Sequence, residues 1–341
     1  MTSPGQDDLG RIQDLITWSS DSIRISSISS NTPALQLWPD TPEGGHLANW
    51  LYAHFYADCP RLFDALTDPL AALGIRAEDP IFYQTLRAAF PGTGYVDNGW
   101  RVTGLDDRAT VQVEKDGVTL HADRAEIASD QGLIKIGAQV GVLFPKDALL
   151  AALGFYVGFS NAGPAQGSRI LRIYVTAHVN SAAEVLNRLA DAISTVGVPA
   201  TIKICSNREQ FRRRDNTVVY VSYDAYPTAI SAVKESLAPR PELLRPESPA
   251  FTKRIGRGIA VAEEPKQTPG NRFLPDSFGM SRCRVIAAAL LQMTDRAELN
   301  RAQMHELLRN HVQRAGLDPD RLHLSSANAS EFATAETEGR A

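Results

Sequence analysis

Several signatures are missing from this 341-residue chain, and each omission removes a class of function. Its three cysteines, Cys59, Cys205 and Cys283, stand far apart, with no CxxC pair and no clustered histidine. Neither a disulfide framework nor a zinc site is therefore indicated. No apolar run reaches membrane-spanning length, and the start, MTSPGQDDLGR, has neither the basic residues nor the apolar core of a secretory signal. The expectation is a cytoplasmic protein that makes no use of the membrane. The GxxxxGK[ST] loop, a strand-linked GxGxxG, the GxSxG turn and HExxH are all absent. The nearest approach, HELLRNH, spaces His305 and His311 six apart, so they do not share a helix face as zinc ligands at i,i+4 do. A net charge of -4 and a pI near 6.0 argue against a nucleic-acid surface spread over the whole protein and leave room only for local basic patches. No cofactor is expected.

What is present suffices for a folded protein. With 43% hydrophobic and 22% charged residues, the chain can bury a sizeable core in one large domain or two smaller ones. LGRIQDLITWSSDSIRI has apolar spacing for a short helix and a strand. From Leu47, LANWLYAHFYADCPRLFDALTDPLAAL is helical in period, and Ile81–Phe90 repeats the pattern. The period then changes. WRVTGL, ATVQVEKDGVTLHA and QVGVLFP read as strands, with Asp116-Gly117 as a hairpin turn. KDALLAAL after Pro145 predicts a short helix, and GFYVGFS and SRILRIYVTA return to strand across a loop at Asn161–Gly167. Ser181 and Glu184 have capping-box spacing for the helix AAEVLNRLADAIST, which stops at Gly197 before the strand ATIKIC. Tyr226–Ala238 predicts a further helix, PRPELLRPESP a surface linker, and Thr252–Pro275 an extended loop able to cover a site. Helices over Ser281–Thr294 and Arg296–Ala315 close the chain before a polar tail expected to be disordered.

The segment Arg169–Tyr223 concentrates positive charge on a strand-helix-strand-turn-strand frame. Arg213 or Arg214 of the triplet Arg212-Arg213-Arg214, directly before TVVYVSY, can reach along a sheet edge, where a guanidinium fork matches phosphate oxygens. Asp215 can orient one of them. A solvated turn is the plain alternative. Lys203 alternates to the face opposite Ile202 and Ile204. That face is either solvent or, if Arg172 and Arg214 line it, a place where nearby charge lowers the lysine pKa and frees an amine as general base. His178 at a strand end can donate a proton or simply cap the strand, Tyr156 can donate or pack, and Lys146 reads as an ordinary exposed residue.

An ordered set of short motifs runs through roughly Leu51–Leu291: GW at Gly99-Trp100, FPK at Phe144–Lys146, GFY at Gly154–Tyr156, RIYV at Arg172–Val175, VPATIK at Val198–Lys203, RRD at Arg213–Asp215 with VVY after it, FTK at Phe251–Lys253 and SFGMSRC at Ser277–Cys283. In this order they resemble the HopA family of type III effectors and its actinobacterial relatives. The resemblance implies a phospho-Ser/Thr lyase of ribosomal peptide natural-product pathways, such as those of class V lanthipeptides and thioamitides. Such a protein eliminates phosphate from a precursor peptide phosphorylated by a partner kinase related to aminoglycoside phosphotransferases, leaving dehydroalanine or dehydrobutyrine. Elimination needs a base for the Cα proton and cations for the departing phosphate, but no attacking water. Phosphatase chemistry calls instead for a cysteine nucleophile or a carboxylate metal set, neither of which is visible in the sequence.

The resulting expectation is an α+β fold, a mainly antiparallel sheet with a helical N-terminal region and C-terminal helices packed around it. Residues 1–95 form the helical region, 96–325 a catalytic region continuous with it, and 326–341 the tail. Lys203 is expected as base, with Lys146 second. Arg172, Arg213 and Arg214 are expected to grip phosphate, Asp215 to orient an arginine, and His178 or Tyr156 to assist the leaving group. A non-catalytic module that binds the precursor and the kinase, and a host-directed effector, are the alternatives.

Overall fold

Alternating β-branched and polar residues build two large antiparallel sheets, and apolar helices cover the second of them on both faces. The computed structural model describes residues 7–18, 23–25, 35–37, 44–67, 79–106, 110–129, 134–149, 151–265, 277–293 and 300–324. Near the start, β1 (Ile16–Trp18), β2 (Ile23–Ile25) and β3 (Leu35–Leu37) pair as a small sheet.

The predicted meander is a five-stranded sheet of β4 (Tyr95–Leu105), β5 (Thr110–Lys115), β6 (Val118–Asp123), β7 (Ile127–Ala128) and β8 (Gln139–Phe144), in the order β6-β5-β4-β8-β7. Its hairpin turns at Asp116-Gly117, where both residues take positive φ (51° and 78°), the geometry that favours a short polar residue followed by glycine. Trp100, Val102, Val111, Val113 and Val140 give this sheet a small core of its own.

The second sheet has six strands: β9 (Phe155–Phe159), β10 (Ile170–Val175), β11 (Ala200–Cys205), β12 (Thr217–Ser222), β13 (Lys253–Gly256) and β14 (Ile259–Glu263), in the order β13-β14-β10-β12-β11-β9. Ile173, Val175, Ile202, Ile204, Val219 and Val221 point to one face, under the helices Pro80–Ala89, Ala182–Thr195 and Tyr226–Leu237. Full burial of such side chains is worth roughly 1.5–3 kcal/mol each, so this face contributes a large share of the stability of the sheet. Tyr174, Val218, Ala260 and Ala262 point the other way, against the helix Gly44–Trp50, its π-helical continuation Leu51–Tyr56 and the helices Phe278–Leu291 and Arg301–Arg314. The α+β expectation holds. No helix among the described residues is long and apolar enough to cross a membrane.

Four local expectations are corrected. KDALLAAL is not a helix, because Asp147 bridges to Gly158, Ala148 N–H donates to Val157 O at 3.0 Å and Lys146 O accepts from Phe159 N–H at 2.8 Å, which holds the segment alongside β9. Ser181 makes no capping bond from its side chain. It lies in a 3-10 turn, and Glu184 pairs with Arg188 and Arg240 instead of reaching back. PRPELLRPESP is pinned rather than free, since Leu243 and Leu244 are buried and Leu244 bridges to Ala177. The expected loop from Thr252 begins as the β13–β14 hairpin, tightly turned at Gly258, whose φ of +61° and whose 2.3 Å approach of an added Cβ to Arg245 O leave room only for glycine. The rest of that loop, 266–275, and the tail lie outside the described residues.

Candidate functional site

Strand register assembles the site. Arg172 of β10 stands opposite Tyr220 of β12, which stands opposite Thr201 of β11. In the next row on the same face come Tyr174, Val218, Lys203 and Val157 of β9. Because directly paired residues share a face, Arg172, Tyr220, Thr201 and Lys203 project together. On this face lies an open depression of about 360 Å³, lined by Lys203, Thr201, Tyr220 and Glu264 with apolar Val157 and Ile170.

Lys203 is half-buried and makes no ion pair among the described residues; its ammonium sits 4.0 Å from the centroid of the Phe155 ring. Burial, then the Arg213 guanidinium and more weakly Arg172, push its pKa below the ordinary lysine value. An amine so placed loses its proton more readily than a surface lysine and can serve as a base. The expected neighbour Arg214 is not the one that faces it. Arg214 turns away to Asp58, Nη2 to Oδ2 at 2.8 Å, while its backbone N–H donates to Ala57 O at 2.8 Å. Arg213 takes that place.

Arg213 and Asp215 are both buried and form a two-point pair, Nε to Oδ1 at 2.5 Å and Nη2 to Oδ2 at 2.7 Å. Arg213 Nη2 also donates to the Tyr52 hydroxyl at 2.6 Å. Tyr52 comes from the π-helical stretch, whose wider turn is closed by Ala57 N–H donating to Tyr52 O at 2.9 Å. Asp215 thus fills the fork of Arg213. Arg172 is likewise held: Nη2 donates to Glu264 Oε1 at 2.6 Å and Nε to Oε2, while the guanidinium carbon lies 5.1 Å from the centroid of the Tyr220 ring.

The two expected proton donors and the second expected base lie elsewhere. Tyr156 alternates with Val157, so it points into the opposite core, fully buried, and its hydroxyl donates to Asp147 Oδ2 at 3.2 Å. Lys146 donates to Phe90 O at 2.8 Å and Arg87 O at 3.3 Å, which satisfies carbonyls at the C-terminal end of the helix Pro80–Ala89. His178 is exposed beyond Val175, eight residues along the chain from Ile170, on the order of 25 Å if extended. Ser160, in the loop after GFY, is structural: its buried hydroxyl accepts from Ala200 N–H at 3.1 Å and lies 2.8 Å from Val198 O.

Tyr220, Thr201, Glu264 and Tyr52 line or brace the site without having been singled out in the sequence. For Tyr220 the signal was available, because in TVVYVS it shares parity with Val218 rather than with the core residues Val219 and Val221. Glu264 carried no such signal, since its place depends on the β13–β14 hairpin. Among the described residues no group of three or more His, Cys, Asp or Glu is arranged to hold a metal ion.

Comparison with known proteins agrees with the motif order. Two solved structures are similar to this chain at low identity. The effector protein from Pseudomonas syringae pv. tomato strain DC3000 is 17% identical with a TM-score of 0.42, and that from Pseudomonas syringae pv. syringae strain 61 is 16% identical with a TM-score of 0.41. Each alignment covers 72% of this chain and 80% of the other. Among curated proteins none is similar enough to this chain to count as a match. The family model for the HopA1 effector protein family matches residues 147–324, just over half of the chain and the whole of the six-stranded sheet with its depression, and the chain belongs to that family.

Proposed function

We propose that this protein is a phospho-Ser/Thr lyase that acts on a precursor peptide phosphorylated by a partner kinase, converting phosphoserine to dehydroalanine and phosphothreonine to dehydrobutyrine. The observation that carries the reading is Lys203: an amine without a carboxylate partner among the described residues, its pKa lowered, at the wall of an open depression with Arg172 on the same face. Lys203 takes the Cα proton as the Cβ–O bond breaks, and Arg172 meets the phosphate charge once Glu264 releases it. Arg213, its fork filled by Asp215, acts as a fixed positive charge beside the base rather than as a direct grip. The reaction requires no cofactor.

A second reading is supported by a different observation. Both Arg172 and Arg213 are already engaged by carboxylates, which suits a non-catalytic module that recognises the phosphorylated precursor and its kinase. A host-directed role, after the family's description, leaves this site chemistry unaltered and changes only the substrate. One assay separates lyase from module. The purified protein is incubated with chemically phosphorylated peptide, without kinase or nucleotide, and mass spectrometry follows the loss of phosphoric acid. Loss supports the lyase; tight binding of an unchanged phosphopeptide supports the module.

A further inference from the structure

Elimination leaves a difficulty that a base and cations do not remove. A phosphomonoester dianion that departs unassisted does so as the phosphate trianion, a stronger base than a phenolate, so a proton must reach the leaving oxygen as the C–O bond breaks. Neither Tyr156 nor His178 is near enough to supply it. Of the groups on the depression, Glu264 has both carboxylate oxygens engaged as acceptors by Arg172. The Thr201 hydroxyl accepts from Ala165 N–H at 3.3 Å and is a far weaker acid than a phenol.

Resting on the lyase reading, we propose that Tyr220 is the catalytic acid, donating its phenolic proton to the departing phosphate oxygen. Tyr220 stands directly opposite Arg172 and diagonally across from Lys203, whose own partner is Val218. That diagonal spacing is about 7–8 Å between backbones, enough to place a substrate Cα beside the amine and its phosphate beside both the phenol and the guanidinium. The Tyr220 hydroxyl makes no hydrogen bond to another described residue, and its side chain is half-buried at the wall of the depression. Burial raises its pKa and Arg172 opposes the rise, so the phenol keeps its proton at neutral pH and the phenolate is stabilised once that proton has gone.

The step balances. The Lys203 amine takes the Cα proton, that electron pair becomes the Cα=Cβ bond, the Cβ–O bond breaks, and the phenol proton makes the product hydrogen phosphate. Lys203 is left as ammonium and Tyr220 as phenolate, and proton exchange through solvent restores both.

The test compares wild type with Tyr220→Phe on a phosphothreonine peptide, reading elimination by mass spectrometry and binding by fluorescence anisotropy. The expected result is a fall in kcat of about 10²–10⁴-fold, the usual contribution of a general acid, with peptide binding unchanged and the alkaline limb of the wild-type pH profile abolished. A variant with wild-type kcat overturns the assignment, and so does one whose binding falls as far as its rate. A wild-type protein that binds but never eliminates strikes the lyase reading itself. If Tyr220→Phe does not fold, 3,5-difluorotyrosine placed at position 220 must move the alkaline limb to lower pH; an unmoved limb rejects the donor role.

Discussion

Glu264 holds Arg172 through both oxygens at the rim of the depression, with the arginine side chain 9% and the glutamate side chain 32% exposed. A carboxylate in this fork occupies the place a phosphate dianion would take, since both offer paired oxygens to a planar guanidinium. The pair therefore competes with substrate. Glu264→Gln should bind inorganic phosphate and phosphopeptide roughly tenfold more tightly, about 1.4 kcal/mol, as read by calorimetry. Equal or weaker binding means that Glu264 braces Arg172 instead of standing in for the ligand.

Lys203 sets both a pH dependence and a stability cost. Its folded pKa lies below the ordinary value of 10.5. Between the two values the unfolded chain binds the proton that the folded chain releases, so stability rises with pH across that window and the cost is fully present below the folded pKa. Elimination should rise as pH climbs through the folded pKa. Lys203→Met should abolish elimination while raising Tm at pH 7, by about 1–2 °C if the relief is about 1 kcal/mol. Lys203→Arg should be inactive at every pH, because a guanidinium does not deprotonate. Calorimetric melts and a rate-pH profile check both.

The buried pair of Arg213 and Asp215 behaves differently from a surface ion pair. Removing one partner strands a charge in the core, at a cost of about 3–5 kcal/mol. Asp215→Ala should lose that much in urea unfolding, whereas Tyr52→Phe, which deletes only the hydroxyl that Arg213 reaches, should lose about 1–3 kcal/mol. Arg213→Met, where it folds, should move the acid limb of the elimination profile to higher pH, because the positive charge that lowers the Lys203 pKa is gone.

The sequence made the site partly legible, for reasons that lie in strand periodicity. Lys203 between two isoleucines and Arg172 in RILRIYV identify their own faces, because period two needs no partner to be read. Asp215 beside Arg213 is a local pair and could be anticipated. Which residues share a row could not, since register depends on strands far apart in sequence: Arg172 meets Tyr220 and, beyond the hairpin, Glu264. The same limit misplaced Tyr156. One position from Val157, it falls on the opposite face. KDALLAAL was misread because its helical composition was overridden by backbone bonds to β9, a tertiary effect that no local window contains.

Tyr156 gives the sharpest contrast between packing and chemistry. Its hydroxyl shares Asp147 with Arg87, whose Nε lies 2.8 Å from Oδ2, and its ring packs against Tyr83 and Phe90 at centroid separations of 5.6 and 5.7 Å. Both the desolvated site and the neighbouring Asp147 carboxylate hold the phenol firmly protonated, which is also what a proton donor requires, so titration alone does not distinguish the two roles. Geometry does, because the side chain lies on the far face of the sheet from Lys203. Tyr156→Phe keeps the ring and leaves Asp147 one partner in Arg87. It should cost about 1 kcal/mol or a little more in stability, and elimination should continue at the wild-type kcat with an unaltered pH profile. A loss of about 10²–10⁴-fold in kcat at retained folding would return the donor role to Tyr156 and require the sheet to present its other face to substrate.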